Sequence, residues 1–394
     1  MSTRLSHFEL PPQWSTMREA AAIKRRTGRT MIHMEKGDYV STEFKPPQEA
    51  IEAVARSLAD GFVRYSPGPG LWSLREALAQ EMTQRGRPTR PEEIIVTPGA
   101  KFAIAACLLL FLDDGDEVIM PNPGYPPDEF WARYLRAPIR HLSFRDPRHV
   151  DVEHLESLIT PRTRLLILNT PQRPNGQLIH NLDEIAAVLR RHPHVTIVSD
   201  EIFSHIVYEP QRHQSLAYDP TLRERTVVID TFSKTFAMTG FRIGWLTAPA
   251  HLAQNFDILV QNSCTNVPTF IQEAALAALQ VKDQYVPGLL QALRRKRDLA
   301  FQILSTSQKL SVENAQGSFY LYPNLPRGVD DRAVVRLLLE HGVAVVPGSA
   351  FGSAGAGSLR LTFTLEDQEL AEGVSRLVEV VDNSISEYEH AAEQ

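Results

Sequence analysis

The segment Thr231–Gly244 contains the residue types that covalent chemistry on a phosphorylated ligand needs. Ser233 and Lys234 stand at the predicted end of a strand, and Arg242 follows between two glycines. A hydroxyl and a guanidinium can bind a phosphate, while an amine can act as a nucleophile. An ordinary junction between a strand and a loop explains the same residues, so the segment alone leaves both interpretations open.

Two further polar clusters follow predicted strands. Asp200 comes at the end of an apolar strand, where a desolvated carboxylate needs a cationic partner, although a helix cap would also explain it. The segment Thr97–Lys101 runs from a strand through Gly99 into a helix start, and free N–H groups there attract anions. Ligands of open parallel sheets bind beyond the carboxyl ends of the strands, so both clusters are candidate site residues.

The elements that must position these clusters follow from the sequence pattern. Between Trp72 and Leu246, short β-branched runs alternate with amphipathic segments, which is typical of parallel strands joined by helices. The predicted strands are Ile94–Thr97, Glu117–Met120, Arg164–Asn169, Thr196–Asp200, Thr226–Ser233 and Arg242–Thr247, and the helices between them include Leu74–Gln84, Ala100–Leu112 and Leu182–Arg191.

A second unit follows this α/β region. After Ala250 the pattern is helical through Leu293–Ile303, a stretch long enough to connect two domains. From Gly317 onward, strand-like and helix-like segments alternate in the manner of a compact α+β domain. The strand-like segments are Ser318–Tyr322, Val343–Val346 and Leu359–Phe363, and Arg332–His341 is helix-like.

Composition limits the class of protein. The chain has 394 residues, of which 43% are hydrophobic and 22% charged, and this predicts one large and one small globular domain. A net charge of −6 with scattered basic residues argues against nucleic acid and anionic membranes as partners. The two cysteines, Cys107 and Cys264, suggest a reducing compartment, and the longest apolar stretch, Phe102–Leu112, is too short to cross a bilayer. No histidine has metal-ligand spacing, so we expect no metal. The cysteines and the shortness of the apolar stretch together lead us to expect a cytoplasmic protein.

Taken in order, these motifs resemble the class I and II aminotransferases, which are fold-type-I enzymes that use pyridoxal 5′-phosphate (PLP). The resemblance covers about Ile32–Val380, and its most specific part is the pattern SKxxxMxGxRIG at Ser233–Gly244. It implies an α/β fold in which a large PLP-binding domain has a mostly parallel sheet flanked by helices. The implied limits are 1–45 for an N-terminal segment of the small domain, 46–290 for the large domain, and 291–394 for the linking helix and small α+β domain.

The resemblance also implies an activity, the ping-pong transamination of an α-amino acid. By similarity, Lys234 forms a Schiff base with PLP and then moves the proton at the substrate α-carbon, which requires a lowered pKa. Asp200 keeps the pyridine nitrogen protonated so that the ring accepts electrons. Tyr125, in the sequence Pro123–Pro126, stacks on that ring, although an ordinary loop tyrosine would fit the same position.

Other positions match the residues that hold the phosphate and the substrate in the family. The phosphate would be held by Ser233, by Arg242 and by the N–H groups of Ala100 and Lys101. Tyr65 would reach this site from a second subunit, which implies a homodimer. Arg360 matches the arginine that grips the α-carboxylate in two parallel hydrogen bonds, and Gly37 resembles the loop on the substrate side.

Two positions depart from the family pattern. Where the family has an asparagine and a tyrosine that donate to the 3-oxygen of PLP, this sequence has Arg173 and Phe203. A cation beside that oxygen would stabilise its negative charge, and Arg173 could also recognise an anionic or hydroxylated substrate group. Alternatively, Asn175 or Asn169 recovers the bond and Arg173 points to solvent.

These departures leave a second function open. An aminotransferase-like PLP enzyme of specialised metabolism would carry out β- or γ-elimination, decarboxylation or oxidative deamination on an amine-bearing substrate. The replacement of both 3-oxygen donors by Arg173 and Phe203 motivates this alternative, because the contacts to that oxygen influence which bond of the substrate is broken.

Overall fold

The computed structural model describes residues 5, 8 and 10–384. The strands are β1 (Ile32–His33), β2 (Ile94–Thr97), β3 (Glu117–Pro121), β4 (Ile139–Leu142), β5 (Phe144–Asp146), β6 (His149–Val150), β7 (Thr163–Asn169), β8 (Thr196–Asp200), β9 (Thr226–Thr231), β10 (Gly244–Thr247), β11 (Tyr320–Leu321), β12 (Val343–Ala344), β13 (Val346–Pro347) and β14 (Leu359–Thr362). The helices are α1 (Pro12–Thr27), α2 (Gln48–Ala59), α3 (Trp72–Gln84), α4 (Ala100–Phe111), α5 (Pro126–Tyr134), α6 (Val152–Leu158), α7 (Leu182–Arg191), α8 (Phe232–Thr235), α9 (Ala250–Cys264), α10 (Thr269–Gln280), α11 (Lys282–Leu304), α12 (Asp331–Glu340) and α13 (Asp367–Ser384).

A seven-stranded sheet in the order β2-β10-β9-β8-β7-β3-β4 forms the centre of the larger part of the molecule. Its strand pairs are parallel except for those of β10, which is antiparallel to both β2 and β9. The central strands are buried along nearly their whole length, which explains why they read as continuous apolar runs. The α/β fold with a mostly parallel, helix-flanked sheet is confirmed.

The register of the sheet places the candidate residues at one edge. Asn169, the last residue of β7, is opposite Asp200, the last residue of β8. Strand β9 ends at Thr231, three positions before Lys234. Because β7, β8 and β9 run in the same direction, their carboxyl ends meet, as the sequence predicts for a ligand site.

The predicted strand Thr226–Ser233 is two residues too long at its end. The Oγ1 atom of Thr231 accepts a hydrogen bond of 3.2 Å from the Ser233 N–H, and this side chain caps a short helix, α8. Ser233 and Lys234 therefore lie in a helical turn rather than in the strand. The strand predicted at Arg242–Thr247 begins at Gly244, because Arg242 has a left-handed backbone with φ of 56°.

The C-terminal part of the chain forms a second, smaller sheet in the order β11-β14-β13. Near it, the short strand β1 pairs in parallel with β12, with Ile32 opposite Val343. Ile23 and Met34 from the N-terminal region share one hydrophobic core with Val374 from α13. The N-terminal segment thus packs with the C-terminal part, while the exact domain limits stay a prediction. Among residues 10–384, no helix is both long and apolar enough to cross a membrane.

Candidate active site

A cavity of about 620 Å³ lies beyond the ends of β7, β8 and β9. Pockets for small molecules in proteins span roughly 300–1,000 Å³, so this one has room for a ligand of that size. Its walls come from the turns after those strands, the start of α4, helix α1 and β14. Predicted site residues that line it are Gly37, Ala100, Lys101, Tyr125, Arg173, Phe203, Ser233, Lys234, Arg242 and Arg360.

Lys234 has the character expected of a reactive amine. The pKa of its amine is lowered from 10.5 to about 7, chiefly by burial and also by the positive charges of Arg173, Arg360 and Arg242, whereas Asp38 opposes the shift. Its Nζ atom donates a hydrogen bond of 2.6 Å to the carbonyl oxygen of Gly37. A large fraction of this amine is therefore neutral near pH 7 and able to accept a proton or attack a carbonyl.

Tyr125, which lines the cavity, and Asp200, which does not, both contact Arg173. The guanidinium carbon of Arg173 is 3.6 Å from the centre of the Tyr125 ring. Nη2 of Arg173 donates to Oδ2 of Asp200, whose side chain has no exposed area. Burial raises the pKa of the Asp200 carboxyl, and Arg173 opposes that rise, so we treat the two groups as an ion pair.

The position of Arg173 decides between the interpretations of the turn. Arg173 is only 7% exposed, so the alternative in which it points to solvent is wrong. Asn175 does not take its place, because Oδ1 of Asn175 accepts a bond from the N–H of Gln177. Asn169 is 2% exposed, and its amide atoms have no hydrogen-bond partner in the described part of the chain. The predicted contact of Arg173 with a cofactor oxygen stays a prediction.

The start of α4 forms an anion-binding cradle with Arg242. Gly99 precedes the helix with φ of 83°, and it supplies no side-chain cap for the N–H groups of Ala100 and Lys101. The positive φ favours glycine at position 99, and a Cβ atom there would lie 2.7 Å from Nη2 of Arg242, so the Arg242 guanidinium comes close to this backbone. Ser233 is nearby in α8 and is almost fully buried. Helix N–H groups and a guanidinium are suited to a phosphate.

Arg360, a residue of β14, also lines the cavity. It is 5% exposed, its guanidinium carbon is 4.4 Å from the Tyr320 ring centre, and its Nη2 donates to the carbonyl oxygen of Glu35. Its Nε is buried and has no partner among the described residues. A buried guanidinium with an unused donor is suited to a carboxylate ligand.

Two predicted residues do not line the cavity. Asp200 lies behind Arg173 and reaches the cavity only through that side chain. Tyr65 is 85% exposed and does not line the cavity of its own chain. Phe203 does line the cavity, where its ring packs edge-on against Phe319 at 5.2 Å, so it offers an apolar wall and no hydrogen bond.

Sequence reasoning missed several wall residues. Trp14 and Met17 reach the cavity from α1, and Lys36 and Asp38 flank Gly37. Tyr320 also lines it, and its hydroxyl would be 2.8 Å from a Cβ atom at Gly37. The amphipathic pattern of α1 indicates a helix but not its partner, because that partner lies more than 300 residues away in the chain.

The residues present fit a PLP-sized group with a phosphate at one end. The cavity is lined by a glycine-containing cradle beside Arg242, by the largely buried amine of Lys234 and by the flat ring of Tyr125. The carboxyl of Asp200 lies directly behind Arg173 in the wall. Lys234 would hold the carbonyl carbon of such a group, and the cradle its phosphate. At the ring end, the fit requires the guanidinium of Arg173 to leave Tyr125 and Asp200.

Comparison with known proteins identifies the class of this enzyme. The family model described as "Aminotransferase class I and II" matches residues 29–377. The chain belongs to the class I and II aminotransferases and is an enzyme of the transaminase class. Members of this family use PLP.

Individual relatives match over nearly their full length. A probable aspartate/prephenate aminotransferase of Aquifex aeolicus is 30% identical, covering 96% of this chain and 97% of the relative. An arginine–pyruvate transaminase of Pseudomonas aeruginosa is 32% identical, covering 89% and 92%. Among solved structures, aspartate aminotransferase from Thermus thermophilus with maleate has a TM-score of 0.87 at 30% identity, covering 96% and 99%.

Proposed function

We propose that this chain binds PLP and transfers the amino group of an α-amino acid to a keto acid. The observation that carries the proposal is that Lys234, with a pKa of about 7, lines the same cavity as an anion cradle and the buried Arg360. A phosphate at the cradle and a carboxylate at Arg360 would hold the reacting carbon atoms in the cavity that contains the amine.

The residues of the chain divide the work of this reaction. When bound, PLP supplies an electron-accepting ring. Arg360 would bind the α-carboxylate, and Lys234 would take the α-proton and return it one atom further along. Asp200 would hold a proton at the ring nitrogen, and the side chain of Tyr125 would stack on the face of the ring. Phe203 and Tyr320 contribute aromatic surface to the wall, and such apolar neighbours strengthen the charge interactions beside them.

The experiment that tests the function is a spectral titration of the PLP-loaded enzyme. Adding single amino acids without a keto acid should convert the yellow absorption of the cofactor to that of its amine form, because half of a transamination needs no acceptor. A keto acid added afterwards should restore the yellow band. Release of ammonia, carbon dioxide or a leaving group, with the yellow band persisting, would instead favour elimination, decarboxylation or oxidative deamination.

We also infer that the enzyme works as a homodimer. Large apolar side chains are exposed on the segment before α3 and on α9, and a Cβ atom at Gly68 would touch Asp257 and Gln261 of α9. The two exposed stretches are therefore neighbours. Apolar patches of this kind mark association surfaces. The exposed side chains are Phe62, Val63, Tyr65, Trp72 and Ile258. A dimer through this face would place Tyr65 against the second chain.

Two substitutions test the dimer and the role of Tyr65. We expect Ile258→Glu to yield monomers, because the patch would then bury an unpaired charge. Tyr65→Ala should remain dimeric and bind PLP about tenfold more weakly, the effect of losing one hydrogen bond to a charged group. Light scattering measures the mass, and PLP titration the affinity. Unchanged PLP affinity in Tyr65→Ala would remove Tyr65 from the site.

The cytoplasmic location stays a proposal. Cys107 and Cys264 are both free thiols, and Cys107 is buried. Free cysteines without a disulfide agree with a reducing compartment.

A further inference from the structure

Arg173 makes the two contacts that the ring of PLP would need. Its guanidinium carbon lies 3.6 Å from the Tyr125 ring centre, and its Nη2 donates to Oδ2 of Asp200. Tyr125 is the residue proposed to stack on the pyridine ring, and Asp200 is the residue proposed to bond its nitrogen. One side chain therefore occupies both partners at once.

The chemistry of the guanidinium explains why it fits there. A guanidinium is flat, positively charged and carries N–H donors, and it stacks on aromatic faces. A protonated pyridine ring is also flat, positively charged and carries an N–H donor. A site built to stack such a ring on Tyr125 and to bond its nitrogen at Asp200 is therefore equally complementary to an arginine side chain.

The surroundings hold Arg173 in this position. The side chain is 7% exposed, and a second buried carboxyl, Asp128, lies on α5 one helical turn after Tyr125. Neither oxygen of Asp128 has a hydrogen-bond partner among the described residues. The charge of Arg173 opposes the rise in the pKa of Asp128 that burial causes. Moving Arg173 away leaves the buried carboxyl of Asp200 without its cation, which is costly.

We propose that Arg173 is an intramolecular competitor of the cofactor ring, and that the guanidinium and the ring occupy Tyr125 and Asp200 in alternation. This inference rests on the proposed function, because it concerns the same cavity. Binding then requires a form of the protein in which Arg173 has left Asp200. The observed rate constant of cofactor entry is then the intrinsic rate constant multiplied by the fraction of molecules in that form.

The association rate of pyridoxamine 5′-phosphate tests this proposal. This probe has the ring and the phosphate but no aldehyde, so its binding is free of any covalent step at Lys234. Its fluorescence, followed by stopped-flow mixing with cofactor-free enzyme, gives the association rate constant. We expect Arg173→Asn to raise that constant at least tenfold, whatever the change in final affinity.

Two further variants keep the result interpretable. Lys36→Asn is the matched control, because it removes one positive charge from the same cavity wall without a contact to Asp200, and we expect its association to be unchanged or slower. Arg173→Lys keeps the charge but lacks the flat fork, so its association should also be faster than that of the wild type. If Arg173→Asn fails to fold, the association rate of Arg173→Lys tests the proposal instead.

The outcomes separate this proposal from the assignment of the cofactor. Association that is faster in the Arg173 variants but not in Lys36→Asn supports competition. Association as slow as in the wild type, or slower, shows that Arg173 does not block the ring site and overturns the competition while leaving PLP binding intact. No binding of the probe or of PLP by any of the proteins overturns the cofactor assignment, and the competition with it.

Discussion

We expect the Lys234→Ala variant to lose transamination by a factor on the order of 10⁴, the upper end of what one acid–base group supplies. The reason is that Lys234 provides an amine with a pKa of about 7 inside the cavity, and alanine leaves nothing there to move the proton. A coupled assay of keto-acid formation at saturating PLP and amino acid measures the loss.

Chemical rescue distinguishes a lost proton carrier from a damaged fold. A small primary amine added to Lys234→Ala fits the space vacated by the side chain and should restore part of the rate, increasing with amine concentration. The same amine should leave the wild-type rate unchanged. Substantial turnover by Lys234→Ala without any added amine would remove Lys234 from the reaction and refute the central assignment of the site.

The second large effect is expected for Arg360→Gln, which should lower kcat/KM for α-amino acids by roughly 10²–10³, as for a buried charge pair that loses one partner. Arg360 is 5% exposed and has an unpartnered Nε atom, so a bound carboxylate would lose its main cationic partner. Initial rates over a range of amino acid concentrations measure the change.

Arg336→Gln is the matched control for this prediction. Arg336 is an exposed arginine on α12 in the same part of the molecule, and its loss should leave kcat/KM within a factor of about two, as for surface substitutions in general. Slow turnover of a primary amine that lacks the carboxylate should be equally unaffected in Arg360→Gln. An equal loss with that amine would show that Arg360 supports the fold rather than the substrate.

The sequence allowed the fold and ten of the residues that line the cavity to be predicted, for physical reasons that particular residues illustrate. Buried parallel strands are apolar throughout, so β7, β8 and β9 were recognisable, and their polar last residues indicated the site. The motif around Ser233 and Lys234 is local, and local patterns need no knowledge of tertiary contacts. The family membership inferred from that motif is confirmed by the match over residues 29–377.

The remaining features depend on contacts between distant parts of the chain. The sequence showed that Arg173 departs from the family pattern, but it did not show that Arg173 bonds Asp200. The orientation of this side chain depends on which groups lie near it in the folded protein, and a local sequence pattern does not contain that information. The wall residues Trp14 and Met17 were missed because helix α1 packs near elements from the other end of the chain. The antiparallel direction of β10 was missed as well, since strand periodicity is the same in both directions.

Two carbonyl groups of the segment Glu35–Gly37 accept hydrogen bonds from residues of the candidate site. The Glu35 carbonyl accepts from Arg360, and the Gly37 carbonyl accepts from Lys234. A carboxylate that draws the guanidinium away from Glu35 frees a backbone oxygen two residues from the one that restrains the catalytic amine. A carboxylate bound at Arg360 would therefore compete for the guanidinium with a carbonyl of the same short segment that holds the Lys234 amine.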